Sequence, residues 1–329
     1  MKISLAYIIF YFVYVAAVVL FIVACLLTNP SIRQSFFYGP DNYDIMEHVP
    51  VGWMSIFALF AGSLIMLIVR GKRLFTKDLT RVNGKIRVLD LLKMTGIILG
   101  INAAITLVSY IFSLLLRNMG YTPGPDVFET LYSDFSGLLY VVILGPILEE
   151  IIFRGAILRS LERFGQNFAI VVSSLMFGLY HLALFQGVFA FFIGLILAYC
   201  AIKFSIKWAM LLHMINNGFA MSFMLIPDGM NIDLGILLLI LALGVLAAFV
   251  AFKTFRAQLK AGKPTELHFA AGVPIVPCAL SPADPRIAHY LTTAMTLRAK
   301  PYHLVFSSAW FIVALSLMSI LTLVTTFVM

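Results

Sequence analysis

Charge is scarce in this sequence. Of its 329 residues only 12% are Asp, Glu, Lys or Arg, while 62% are hydrophobic and the mean hydropathy is +1.01. A soluble domain carries about twice that charged fraction. The balance excludes a globular enzyme with one anchor and implies a polytopic membrane protein. Cysteine is also rare. Cys25 and Cys200 lie in apolar runs, Cys278 lies in a polar stretch, and no CxxC occurs, so neither a disulfide framework nor a zinc ribbon is expected. There is no HExxH, internal repeat or low-complexity tract. The net charge of +8 does not imply nucleic acid, because the basic residues are spread over short connections between apolar runs, where they set topology.

What the chain does have is length in its apolar runs. A spanning helix needs about 20 apolar residues. Candidate spans are 5–27, 51–69, 89–116, 137–158, 169–185, 188–202, 208–226, 234–252 and 304–328. The expected fold is therefore an all-α transmembrane bundle of about eight to nine spans. The first run has no small-residue cleavage pattern and is expected to remain as a helix. The fifth and sixth runs are short, with a weak turn at Gln186-Gly187, and are expected to cross incompletely or at a tilt. Basic connections (Arg70 to Arg87; Arg159 and Arg163; Lys203 and Lys207; Lys253 to Lys263) alternate with acidic ones (Asp41 to Glu47; Asp126 to Asp134; Asp228 and Asp233). The positive-inside rule then puts the N-terminus in the cytoplasm. The stretch 253–303, broken by six prolines, is expected to be a cytoplasmic loop tethering a last helix at 304–329.

Three polar clusters interrupt the apolar runs: Glu149-Glu150-Ile-Ile-Phe-Arg154, Phe177-Gly-Leu-Tyr-His181 and His213-Met-Ile-Asn216-Asn217. Ionisable groups at membrane depth are costly and tend to be functional. Glu150 and Arg154 share a helix face and can pair. Glu149, about 100° further round, is left without a local partner and is the candidate general base. One buried acid is as easily explained as a structural tie between helices; an adjacent pair followed by Arg is harder to explain so.

A turn at Phe164-Gly165-Gln166-Asn167 would fold the fourth and fifth spans into a hairpin, bringing Glu149 and His181 to one depth, about 13 Å below the basic connection. His213, six residues beyond Lys207, comes to about 9 Å on the same side. A lone His in an apolar helix is usually a packing residue; two converging on an acid pair are not. His213 and Asn217 share a face and are candidate oxyanion donors. Asn216 points elsewhere and is expected to bond a neighbouring helix. Phe177, four before His181, is expected to buttress the imidazole.

In that order these clusters resemble the three motifs of the CAAX protease and bacteriocin-processing (Abi, CPBP) family of intramembrane glutamate peptidases, related to the Ras-converting CAAX endopeptidases. The resemblance covers about 137–226. It implies an intramembrane endopeptidase needing no metal or other cofactor, acting on a membrane-associated peptide or protein. It implies Glu149 as catalytic acid, His181 as its helper in activating water, His213 and Asn217 as the oxyanion pair, and Glu150 and Arg154 in support. The setting implied is a bacterial plasma membrane.

Three other readings stay open. A zinc peptidase would use Glu, His and Asn as ligands, though no two His lie four apart on one helix. A non-proteolytic regulator, bacteriocin-immunity protein or partner of a membrane sensor would need no chemistry. A transporter would explain buried charge but predicts broken helices in pairs or repeats.

Overall fold

The computed structural model describes residues 2–38, 49–119, 135–224, 239–246, 249–250 and 253. Among the described residues every regular element is helical. The helices are α1 (Lys2–Thr28), α2 (Pro30–Tyr38), α3 (Val51–Arg70) and α4 (Val88–Asn118); then α5, a compound helix over 135–164; then α6 (Gln166–Tyr180), α7 (Leu184–Lys203) and α8 (Ile206–Met224). Among the described residues four stretches are long and apolar enough to cross a membrane: Leu5–Thr28, Val51–Arg70, Val88–Asn118 and Leu184–Lys203. Many of their large apolar side chains face outward, among them Leu20, Leu27, Ile68, Leu92 and Ile111. In water that surface would be a severe liability, whereas in a bilayer it is the lipid-facing side. The expected run at 234–252 is helical where it is described, at 239–246 and 249–250. Nearly all of 253–303 and the whole of 304–328 lie outside the described residues.

Two features differ from the sequence expectation. The turn after the fifth run comes at 181–183, not at Gln186-Gly187, so α6 has only 15 residues and α7 has 20. His181 therefore caps the end of α6 and does not lie inside a helix. The glycine of the expected turn serves another purpose. A Cβ on Gly178 would lie 2.6 Å from the carbonyl oxygen of Gly187, and one on Gly187 would lie 2.9 Å from that of Gly178. Glycine at both positions lets α6 and α7 cross with their backbones in contact. The turn expected at Gly165 is present, with φ 117°, a conformation suited to glycine.

The second difference is in α5. It is wound as a π-helix over Tyr140–Leu144 and again over Ile151–Leu158, with an α-helical piece, Gly145–Glu150, between them. Pro146 explains the first wide turn. It has no N–H, and its ring crowds the carbonyl four residues back. The Gly145 N–H accordingly reaches back five residues to Tyr140 O. Wide turns of this kind collect at functional sites, and Glu149-Glu150 sits between two of them.

One end of the bundle gathers the basic connections. Arg70 pairs with Asp78 at 2.6 Å and reaches Ser160; Arg81 and Arg159 both pair with Glu162; Asn83 donates to Ile202 O, and Val82 bridges Ser205. Three connections that share a basic character in the sequence thus meet on one side. At the other face of α5, Phe153 packs against Tyr7, Phe177 and Tyr180, with ring centroids 6.3, 5.0 and 5.6 Å away.

Candidate active site

Beneath the site lies a buried ion pair. Arg154 Nη1 is 3.0 Å from Glu150 Oε1, and both side chains are fully buried. Its Nη2 donates to Gly194 O at 3.3 Å. The guanidinium also lies 4.4 Å above the ring of Phe177, so an aromatic face supplies part of what water would. A Cβ on Gly194 would come within 3.3 Å of Arg154 Nη2, which is why α7 can pass this close.

Glu150 joins the first cluster to the third. Its Oε1 lies 3.1 Å from His213 Nδ1, while His213 Nε2 lies 3.7 Å from Glu149 Oε2. One ring nitrogen is held by the structural carboxylate, and the other turns toward the free one. Phe177 joins the second cluster to both. Its ring meets His181 edge to face at 4.9 Å and His213 at 5.6 Å. His181 Nδ1 is 2.9 Å from Phe177 O, which leaves Nε2 for other partners. The residue after it, Leu182, has φ 54°. A left-handed leucine costs about 1–2 kcal/mol, and such strain tends to gather at functional positions.

The carboxamides form a relay. Asn102 on α4 donates to Asn216 Oδ1 at 2.7 Å, Asn216 donates to Asn217 Oδ1 at 3.0 Å, and Asn217 Nδ2 donates to Val141 O at 2.8 Å. Asn216 does reach a neighbouring helix. Val141 O needs this partner because of the wide turn. The Gly145 N–H is taken by Tyr140 O, and residue 146, five beyond Val141, is a proline with no N–H to give. An amide nitrogen carries two hydrogens, so Asn217 keeps one to donate elsewhere.

Glu149, His181, His213, Asn216 and Asn217 line one cavity of about 370 Å³, together with Tyr11, Tyr14, Tyr140 and Tyr180. Glu150 and Arg154 lie behind its wall. Among the described residues no three His, Cys, Asp or Glu side chains are grouped to hold a metal ion. Sequence reasoning missed the tyrosines and Asn102. The recurrence of Tyr7, Tyr11 and Tyr14 on one face of α1 was the available signal for the former, and a lone carboxamide in an apolar helix for the latter.

Long apolar helices mark an integral membrane protein, and a buried carboxylate–imidazole cluster lies among them. Residues 132–219, which carry all three clusters, match the family model for type II CAAX prenyl endopeptidase Rce1-like proteins. At the level of that family the segment is similar to CAAX-type proteases, which are hydrolases. No curated protein and no solved structure matches the chain.

Proposed function

We propose that this protein is an intramembrane glutamate-type endopeptidase that cleaves a membrane-associated peptide or protein. The observation that carries this reading is the convergence of Glu149, His181, His213 and Asn217, from three separate stretches of chain, on one cavity. Glu149 takes a proton from water as the water oxygen attacks the scissile carbonyl, and His181 orients that water. The oxyanion receives hydrogen bonds from the second amide hydrogen of Asn217 and from Nε2–H of His213 in its doubly protonated form, whose Nδ1–H donates to Glu150. Collapse of the tetrahedral intermediate breaks the C–N bond, and Glu149 returns its proton to the departing amine. Glu150 and Arg154 hold His213 through Nδ1 and do not meet substrate. No metal or cofactor takes part.

The reading includes a topology of eight to nine spans, with the N-terminus and 253–303 in the cytoplasm and 304–329 as the last helix. The alternation of loop charge supports it, as does the meeting of three basic connections at one end of the bundle. The site then opens toward the cytoplasmic leaflet, in a bacterial plasma membrane. The bilayer is the other partner.

The test is a cleavage assay in liposomes with internally quenched peptides: prenylated and unprenylated CAAX-terminated peptides, and unmodified transmembrane peptides. The purified protein is expected to cleave at least one of them, and Glu149→Gln, which keeps the shape and loses the base, to fall by at least about 10²-fold. Near-normal turnover by Glu149→Gln would sink the assignment of the base. A wild-type protein that cleaves none of them would leave the non-proteolytic regulator, acting through a membrane signalling partner, as the better reading.

A further inference from the structure

Asn102 is an amide side chain in the middle of α4, flanked by Ile101 and Ala103. Helix α4 lies outside the segment 132–219 that matches the peptidase family, and Asn102 does not line the cavity. Its Nδ2 nevertheless donates to Asn216 Oδ1 at 2.7 Å, the first of three bonds that lead to the site. Asn216 Nδ2 donates to Asn217 Oδ1 at 3.0 Å, and Asn217 Nδ2 donates to Val141 O at 2.8 Å. Asn216, the middle member, is buried.

The two ends of a carboxamide are alike in shape and opposite in chemistry, so the direction of such a relay has to be set by a group that cannot be reversed. Val141 O is that group, because a backbone carbonyl only accepts. It turns the nitrogen of Asn217 toward itself and the oxygen toward Asn216. Asn216 must then offer its nitrogen to Asn217 and its oxygen to α4, where only a donor completes the series. Asn102 supplies it. Without that donor Asn216 Oδ1 loses its partner in a buried place, which is costly. Asn216 is then free to turn, and Asn217 keeps only its bond to Val141 O. An Asn217 amide turned over would set an oxygen against Val141 O and have no hydrogen to offer an oxyanion.

We propose that Asn102 is a positioning residue for the oxyanion donor, holding the Asn217 amide in its donating orientation through Asn216. This role rests on the peptidase reading, and it makes α4 part of the working site. A tie between helices is the simpler use of an Asn in a membrane helix, and such a tie needs one bond to any polar atom of α8. Here the atom bonded belongs to the residue next to Asn217, and Asn216 passes the constraint on to it.

The test is a double-mutant cycle in the full chain in liposomes, on the quenched peptide that wild type cleaves fastest: Asn102→Leu, Asn217→Ala and the two together. Leu keeps the volume of Asn and removes the donor. The kcat of Asn102→Leu is expected to fall about 10-fold with KM unchanged, a smaller loss than that of the donor itself. The double variant is expected to match Asn217→Ala within about 2-fold, because Asn102 acts only through the side chain already removed. Thermal midpoints are measured for each variant, and assays are run well below them. Should Asn102→Leu not fold, Asn102→Ala, which adds no apolar branch, takes its place in the cycle. Wild-type kcat in the Asn102 variant, beside an inactive Glu149→Gln, would overturn this proposal and leave the peptidase reading standing. So would a further fall of about 10-fold in the double variant below Asn217→Ala, since independent losses multiply and Asn102 would then be a tie between helices. Absence of cleavage by wild type would overturn both readings.

Discussion

Asn217 Nδ2 donates to Val141 O at 2.8 Å, and that bond exists because Pro146 cannot make it. The proline opens a wide turn in α5 and leaves a carbonyl without a main-chain donor. A carboxamide from α8 fills the place and is itself oriented in doing so. Backbone irregularity in one helix thus aims a side chain from another.

Asn217→Ala is expected to act on two measurements at once. Loss of an oxyanion donor lowers kcat by about 10²–10³-fold with little change in KM. The abandoned Val141 carbonyl costs about 1–3 kcal/mol of stability, read as a lower thermal midpoint in detergent. A rise in KM alone would make Asn217 a binding contact.

Arg154→Ala is expected to be among the most destabilising single changes in the protein. It leaves Glu150 buried without its countercharge, for which about 3–5 kcal/mol is typical, and it strips Phe177 of the cation over its ring. Replacing both partners, as Glu150→Gln with Arg154→Met, should recover much of that stability. It should not recover activity, since His213 Nδ1 then loses its carboxylate. Thermal unfolding of the two variants beside wild type checks the first claim, and the cleavage assay the second.

Gly178→Ala tests the crossing of α6 and α7. The new methyl would sit 2.6 Å from a backbone oxygen, so the helices must separate. A cost of about 1–3 kcal/mol is expected, together with lost turnover, because His181 sits at the joint between these helices. Tolerance of Ala with full activity would show that the joint is not rigid.

What the sequence made legible were features that depend on helical period and local chemistry. The Glu150–Arg154 pair, the contact of Phe177 with His181, the turn at Gly165 and the outward bond of Asn216 all follow from spacing. Features that depend on departure from that period were not legible. The two wide turns of α5 have only Pro146 as a local signal, and the second lacks even that. The break at 181–183 contains neither glycine nor proline, and Leu182 takes a left-handed conformation that its residue type disfavours. Nothing in the three clusters points to α1, whose tyrosines meet the site only through tertiary packing.

The mechanism written without a metal makes a direct prediction. Activity should survive prolonged dialysis against strong chelators, and the purified protein should hold no stoichiometric zinc by elemental analysis. Loss of activity on chelation, restored by added Zn²⁺, would move Glu149, His181 and His213 from acid–base chemistry to metal ligation.

The proposed topology is tested by cysteine accessibility in intact cells. Cys25, Cys200 and Cys278 are first replaced by serine, so that single cysteines can be read at Lys207, Gln258 and Asp126; the last two lie outside the described residues. A membrane-impermeant thiol reagent is expected to label position 126 and to leave 207 and 258 unlabelled until the cells are opened. Lys207 lies in the first turn of the helix that carries His213, about 9 Å deeper, two residues after Ser205, which bridges Val82 of the basic connection before α4. If position 207 faces the cytoplasm, the other basic connections gathered there face it too, and substrate enters from the inner leaflet. The reverse labelling pattern would turn the bundle over, contradict the positive-inside reading, and put hydrolysis within reach of the outer face.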